Sequence, residues 1–513
     1  MRHRRTEPRH EERPPSGLAD LLLRDDLAGF AVPVGAGWRR VSAADFRRDV
    51  TAAAKGFAAI GLDSGDRIVL ACRTRYEWAV LAFAAWAMRG TVVPVHPRLA
   101  PTRLWHILHD VRANMIVAEH PLHGRVLAEA RRSLPGLVRS LWVDSPPPGD
   151  APSALQEITA AGVYMDPSAV AERSRAVTAA DAAVITYPAP WSPSAEPHGV
   201  VLTHANLLAS AAGQVRAAGA LLDRIPDGEA DTLLHLPLAG AAGQSLLIAS
   251  LMAGVRVAFP APASHAAPMR QTRAYGPSIA IARGAHIERV FALEHATEHE
   301  RPDKQGWDRK SAFDAAVEHA VKTARSRRER PGMLGRVSHA MHEWLYTRVR
   351  DRFGGRARMI VCSGGVSERV ADFLTGAGMP VVQGTGIIAE AAGPIAVRLP
   401  GLTAEGGAGR PLPGLELRDG LRGEVAIAGA AVSPAYWNRP DPARTPTRRD
   451  DGWLFTGLTG RVHGDGSASL TGRIAGAGKT PAAPALHSPA EPPDPQRPLP
   501  TQDVRGPQDR IGH

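Results

Sequence analysis

At 513 residues and 44% hydrophobic composition, the chain is long enough for two or three domains with sizeable apolar cores. Its formal charge of +10 and sequence pI of about 10.1 rest mainly on arginine, and reflect either a composition bias or attraction to anionic lipid, nucleic acid or phosphate groups; no basic–aromatic module favours nucleic acid. Cys72 and Cys362 are too few for a disulfide framework and sit in apolar runs, as buried thiols of a cytoplasmic protein would, and the longest apolar helical run, Ala79–Met88, is too short to cross a membrane.

Residues 1–16 are charged and proline-containing, with no apolar signal-peptide core after them. Gly17–Phe30 is predicted as an amphipathic helix and Trp38–Val41 as a short strand. Ser42 is placed to cap a helix over Ala43–Ile60. Strand Arg67–Ala71, helix Tyr76–Met88 and strand Thr91–Val95 make a βαβ unit. Met115–Ala118 and Leu141–Val143 continue the alternation, which implies a parallel, doubly wound α/β sheet.

Between Tyr187 and Gly199 the sequence is PAPWSPSAEPH, with no glycine. A phosphate-binding loop works because glycines turn consecutive backbone N–H groups toward one anion. Pro188, Pro190, Pro193 and Pro197 remove donors and stiffen the segment, and Glu196 adds a negative charge. Ser192 and Ser194 retain hydroxyls. Read without any resemblance, this is a surface loop with no ligand.

GDRIVLACRTRYEWAVLAFAAWAMRGTVVPV at Gly65–Val95, GVVLTHANLL at Gly199–Leu208 and Asp231–Phe259 together resemble AMP-forming acyl-CoA synthetases, especially bacterial long-chain fatty acid–CoA ligases. The family loop reads Tyr-Thr-Ser-Gly-Thr-Thr-Gly-x-Pro-Lys-Gly; here His198 stands at the lysine. The resemblance implies an adenylate-forming N-terminal domain: a disordered tail at 1–16, two doubly wound α/β lobes at 17–400, and a β-rich subdomain at 401–473. Gly240 and Gly243 would line the acyl pocket, or serve helix packing. Residues 306–352, with apolar positions such as Phe313, Val317 and Val321, match a helical insertion. The basic run Arg325–Arg330 inside it is a solvated face or a contact for an anionic membrane.

Further along, the resemblance places Ser363, Gly364 and Gly365 and the turn Gly384, Thr385 and Gly386 beside the adenine. Glu390 matches the magnesium-binding glutamate, with Ala389 where the family has threonine. Thr186, Ser192 and His198 would line what remains of the phosphate site. GRPLPGLELR, RGEVAIAG, YWNRP, DDGWLFTG and TGRI follow in family order between Gly409 and Ile474. Leu458 stands where the family has a ribose-binding aspartate, and Arg473 matches the arginine that meets ribose or phosphate. The lid domain expected next is largely missing: residues 474–513 read as a Pro-rich disordered tail, and Lys479 falls in a turn rather than at the adenylation lysine's place.

Three other motifs carry less. Gly384–Ala389 fits the dinucleotide pattern G-x-G-x-x-A, but Gly393 and Pro394 cut short the helix it should open. AGAGKT at 475–480 has the ending of a Walker loop without its first glycine. HATEH at His295–His299 fits an inverted zinc-protease pattern, but Pro302 follows soon after. The implied reaction is fatty acid, ATP and CoA to acyl-CoA, AMP and pyrophosphate, with Mg²⁺ as cofactor and catalysis weakened or lost. The alternative is a pseudoenzyme that binds an acyl ligand or a protein partner.

Overall fold

The computed structural model describes residues 15–144, 151–188, 198–261, 268–300, 309–326, 341–401, 409–420, 423–438 and 452–473. The first departure from expectation is Gly17–Phe30. Only Leu18–Leu23 is helical, as a 3-10 turn; the chain is extended at Arg24, and Phe30–Val34 is a strand. Phe30 is drawn into an aromatic cluster, with ring centroids 4.5 Å from Phe46, 5.8 Å from Tyr76 and 5.6 Å from Phe259. Aromatic burial of this kind outweighs the local preference for helix. Gly29, at φ +74°, makes the bend that brings Phe30 to the sheet.

Ser42 caps Ala43–Ala59 as expected. Its Oγ accepts the Asp45 amide at 3.0 Å and donates to Asp45 Oδ2 at 2.7 Å. Strands Arg67–Ala71 and Thr91–Pro94 are parallel and joined by helix Tyr76–Ala87. That helix is apolar on every side and is buried throughout its last three turns, as a helix between two layers must be. Trp86 Nε1 donates to the Ala183 carbonyl at 2.9 Å, which satisfies its only polar atom.

Among the described residues there are three sheets. One runs, in spatial order, 435–436, 200–203, 182–186, 91–94, 67–71, 115–118, 139–142. A second runs 410–411, 396–398, 381–385, 359–363, 279–283, 231–233, 256–258, 30–34, 37–41. The third is a small antiparallel sheet of 415–419, 424–429, 454–462 and 468–473. A single core joins the two large sheets, from Leu70 and Val92 through Trp78 and Leu247 to Val257, Phe259 and Ile281.

Helix Arg309–Arg325 packs Phe313, Val317 and Val321 into a second core with Phe373 and Leu374 of helix Glu368–Gly376. Glu294, buried on helix Gly284–Glu300, accepts from Arg348 at 2.9 Å and from Arg352 at 2.6 Å, tying helix Glu343–Arg352 to it. Of the basic run, Arg325 pairs with Asp372 at 2.8 Å and residues 327–330 lie outside the described residues, as do 1–14 and 474–513. No described helix is long and apolar enough to cross a membrane.

One buried histidine sets a pH dependence. His204 opens helix His204–Leu222, is 1% exposed, and its Nδ1 accepts the Leu18 amide at 3.1 Å. Burial pushes its pKa from 6.5 down to about 4, against the pull of Asp181 and Asp20. The unfolded chain takes up this proton first as pH falls, so the stability present above pH 6.5 is lost on the way to pH 4. Urea titrations are expected to show about 2–3 kcal/mol more loss between pH 7.5 and 4.5 in the native protein than in a His204→Gln variant. Equal losses in both would refute this role.

Candidate functional site

A cavity of about 1120 Å³ lies where the parallel strands end. Pro94, Thr186, Arg283, Ser363 and Gly384, each at or near the C-terminal end of its strand, all face it. Ligands of doubly wound sheets bind at this edge because the strand ends and following loops leave a crevice there. The small antiparallel sheet contributes Leu458, Leu470, Gly472 and Arg473.

Most of the candidate residues meet at this wall. Thr186 reaches it with Tyr187 and Pro188, and Gly240 and Gly243 reach it at the start of helix Ala241–Met252. Ser363, Gly364 and Gly365 form one side and Gly384 and Gly386 another. Arg473 lies directly across the strand pair from Leu458, so the two residues singled out in the sequence are neighbours. Burial pushes the Arg473 pKa down while the charge of Glu390 pulls it up.

Other candidates lie elsewhere. Thr385 is in the strand and its Oγ1 donates to the Ala396 carbonyl at 3.3 Å. His198 is not among the wall residues, and Ser192 lies outside the described residues. Glu390, 5% exposed, sits behind Ala389; Tyr436 Oη donates to its Oε1 at 3.0 Å, and its backbone carbonyl accepts the Ser433 amide at 2.7 Å. Among the described residues the wall carries no carboxylate; its side-chain oxygens are hydroxyls, those of Thr186, Tyr187 and Ser363.

A smaller apolar cavity of about 90 Å³ adjoins the large one. It runs between helices His204–Leu222 and Ala241–Met252, past Ala218, Leu222, Leu246, Ala249, Val255 and Met359. The two cavities share Ala242, Ser363, Gly384 and Ile387.

Sequence reasoning missed two groups. His96, Arg98 and Arg103 follow strand Thr91–Pro94 and enter helix Pro101–Asp110; Arg283, His286 and Arg289 end strand Ile279–Arg283 and begin the next helix. The available signal was their position just after a buried strand, where site residues of this fold class gather. Burial and Arg98 hold the His96 pKa down, and burial with Arg283 and Arg289 does the same to His286.

AGAGKT at 475–480 and the Glu298 and His299 side chains of HATEH lie outside the described residues. Thr385 leads into a short 3-10 turn, Ala389–Ala391, rather than a dinucleotide-binding helix. Among the described residues no group of three His, Cys, Asp or Glu side chains is placed to hold a metal.

Two lobes with one shared core, a cavity at their strand ends and a small antiparallel sheet on its rim make the N-terminal fold of adenylate-forming enzymes. The same fold occurs in the N-terminal domain of FACL13 from Mycobacterium tuberculosis, with TM-score 0.59 and 19% identity, covering 89% of this chain and 100% of that one. It occurs also in O-succinylbenzoate Coenzyme A Synthetase (MenE) from Bacillus subtilis in complex with AMP, with TM-score 0.58 and 15% identity, covering 90% and 99%. The AMP-binding enzyme family model matches residues 27–437. Long-chain-fatty-acid–CoA ligase FadD15 of M. tuberculosis is 31% identical over 439 residues, covering 85% of this chain and 70% of that protein; its Mycobacterium bovis counterpart matches equally. The chain therefore belongs to the AMP-forming acyl-CoA synthetases, in the long-chain fatty acid–CoA ligase family.

Proposed function

We propose that the chain is a fatty acid–CoA ligase whose adenylation step is slow. The observation that carries this reading is the apolar cavity that adjoins the large one: at about 90 Å³ it has room for only the first few methylenes of an acyl chain, whose carboxylate would then lie at the shared residues Ser363 and Gly384. The carboxylate oxygen would attack the α-phosphorus of ATP in line, forming the acyl-adenylate and releasing pyrophosphate. The CoA thiol, losing its proton, would then attack the acyl carbon and expel AMP. Such chemistry depends on positioning and charge stabilisation more than on a side-chain nucleophile.

In this reading Thr186 and the Ser363–Gly365 and Gly384–Gly386 turns would position the nucleotide, and Arg473 would meet its ribose or phosphates. Glu390, whose Oε1 accepts from Tyr436 Oη, is the residue that would hold Mg²⁺, and the ion would supply neutralisation of the triphosphate charge. Slowness follows from the prolines at 188–197 and from Leu458, which presents an alkyl group where a ribose needs an acceptor. Cytoplasmic action with peripheral membrane contact through the Arg325–Arg330 run belongs to the same proposal.

The test is ATP–pyrophosphate exchange with Mg²⁺ and a panel of fatty acids. Exchange that depends on a long-chain fatty acid is expected, at a rate on the order of 10²–10³ below that of an enzyme with all its phosphate contacts. The second reading, an acyl-binding protein without catalysis, is favoured by Leu458 on the wall. Fatty acid binding that ignores ATP, with no exchange from folded protein, would establish it.

A further inference from the structure

The small apolar cavity is a slot whose length and free space disagree. Met359, Val361 and Ser363, alternate residues of strand Met359–Ser363, line it, while Ile360 between them joins the second core. Ala242, Ser245, Ala249 and Ala253 line it too, from one face of helix Ala241–Met252 and its C-terminal cap. Ala242 and Ser363 belong to both cavities and mark the mouth. Four strand steps of about 3.3 Å place Met359 roughly 13 Å inward of Ser363. Eleven helix steps of about 1.5 Å place Ala253 a similar distance in.

Only about 90 Å³ of this slot is empty. A cavity of about 150 Å³ holds one benzene molecule, so the free space takes a few methylenes and no more. Side chains fill the rest. Between the ends the lining is small, at Ala217, Ala218 and Ala249. At the inner end Leu222, Val255, Ile279 and Met359 meet in one apolar cluster.

Of these four, Met359 alone is unbranched. Val255 and Ile279 are stiff at χ1 because they branch at Cβ, whereas a methionine turns about three bonds and adapts to the space around it. Its backbone is held. Met359 pairs with Ile279, and the amides on either side, of Arg358 and Ile360, donate to the Ser278 carbonyl at 2.8 Å and the Pro380 carbonyl at 2.9 Å. Any movement at this end of the slot is therefore left to the methionine side chain.

We propose that Met359 is the residue that determines specificity for acyl length. It closes the inner end of the slot to a tail longer than the first few methylenes, and a long-chain acid seats fully only by turning it aside. The inference rests on the fatty acid reading of the slot and adds which part of the acid this chain discriminates. Displacing the side chain offsets part of what the longer tail gains by burial.

The experiment is calorimetric titration of the full chain with hexanoate and with dodecanoate, without ATP, for the native protein, Met359→Ala and Met359→Ile. Circular dichroism checks that each is folded. Met359→Ala removes the obstruction and is expected to bind dodecanoate on the order of tenfold more tightly, with hexanoate changed by less than about twofold. Met359→Ile keeps the bulk but stiffens it. That variant is expected to bind dodecanoate on the order of tenfold more weakly and hexanoate as the native protein does. Isoleucine suits a strand and nearly conserves volume, so this arm decides the question if the alanine variant does not fold. An unchanged ratio of dodecanoate to hexanoate affinity overturns the proposal, as does an equal change for both acids or the absence of binding by either. ATP–pyrophosphate exchange is read on the same samples. A shifted ratio in protein with no exchange sinks the ligase reading alone. Acid-dependent exchange with an unchanged ratio sinks this one alone.

Discussion

Replacing residues 188–198 with the glycine-rich family loop, together with Leu458→Asp, is expected to raise ATP–pyrophosphate exchange on the order of 10²–10³-fold. Each charge-assisted hydrogen bond regained contributes roughly 1.5–3 kcal/mol, and two or three such bonds reach that factor. The host can accept both changes. Ile185 pairs with Val201 and Thr186 with Val200, so the loop's ends are already paired as antiparallel strands. Leu458 faces Arg473 across its strand pair, so an aspartate there gains a cationic cross-strand neighbour rather than an unpaired charge. If folded double variant shows no faster exchange than the native chain, the deficit lies beyond the nucleotide contacts and the pseudoenzyme reading gains.

Gly284→Ala is expected to destabilise the protein by about 1–3 kcal/mol and to weaken ligand binding with it. Gly284 opens helix Gly284–Glu300, and its Cα stands against the backbone of Gly365. A methyl group there would meet the Gly365 carbonyl, with its carbon at 2.5 Å and the Val366 nitrogen at 3.3 Å. Backbone cannot swing aside as a side-chain tip can, so either the helix or the Ser363–Gly365 turn must move. Both line the cavity. Gly365→Ala is the control: its new methyl group would meet nothing within 4 Å, and stability is expected to stay within about 0.5 kcal/mol of native. Similar denaturation midpoints for the two variants would refute the close-approach argument.

Where a feature depends on neighbours in sequence, it was legible. The Ser42 cap needs only Asp45 three residues on, and the parallel strands need only short apolar runs separated by helical spacing. Gly17–Phe30 was misread because its decisive partners, Tyr76 and Phe259, are remote, and a periodicity argument cannot see them. The site divides in the same way. Glycine turns such as Ser363–Gly365 carry a local signature that the family resemblance could register. The hold of Tyr436 on Glu390 and the convergence of Arg98 with Arg289 are products of packing, and no spacing rule connects such distant stretches.

The clasp around the variant loop has a further consequence. Tyr187 Oη donates to one Asp110 carboxylate oxygen and Asn438 Nδ2 to the other at 3.3 Å, while Trp437 Nε1 donates to the Asp110 carbonyl at 3.0 Å and the Trp437 amide to the Gly199 carbonyl at 2.7 Å. The entry and exit of the segment are thus riveted to one helix end and one edge strand. Closing a longer loop between fixed ends costs little, since the entropy grows only with the logarithm of length. Quality control in a cell inspects folding, not chemistry, so a lineage could rewrite this segment freely and still make abundant, well-behaved protein. The same rivets that protect the scaffold would hide a change in the segment's phosphate contacts from any selection on folding alone.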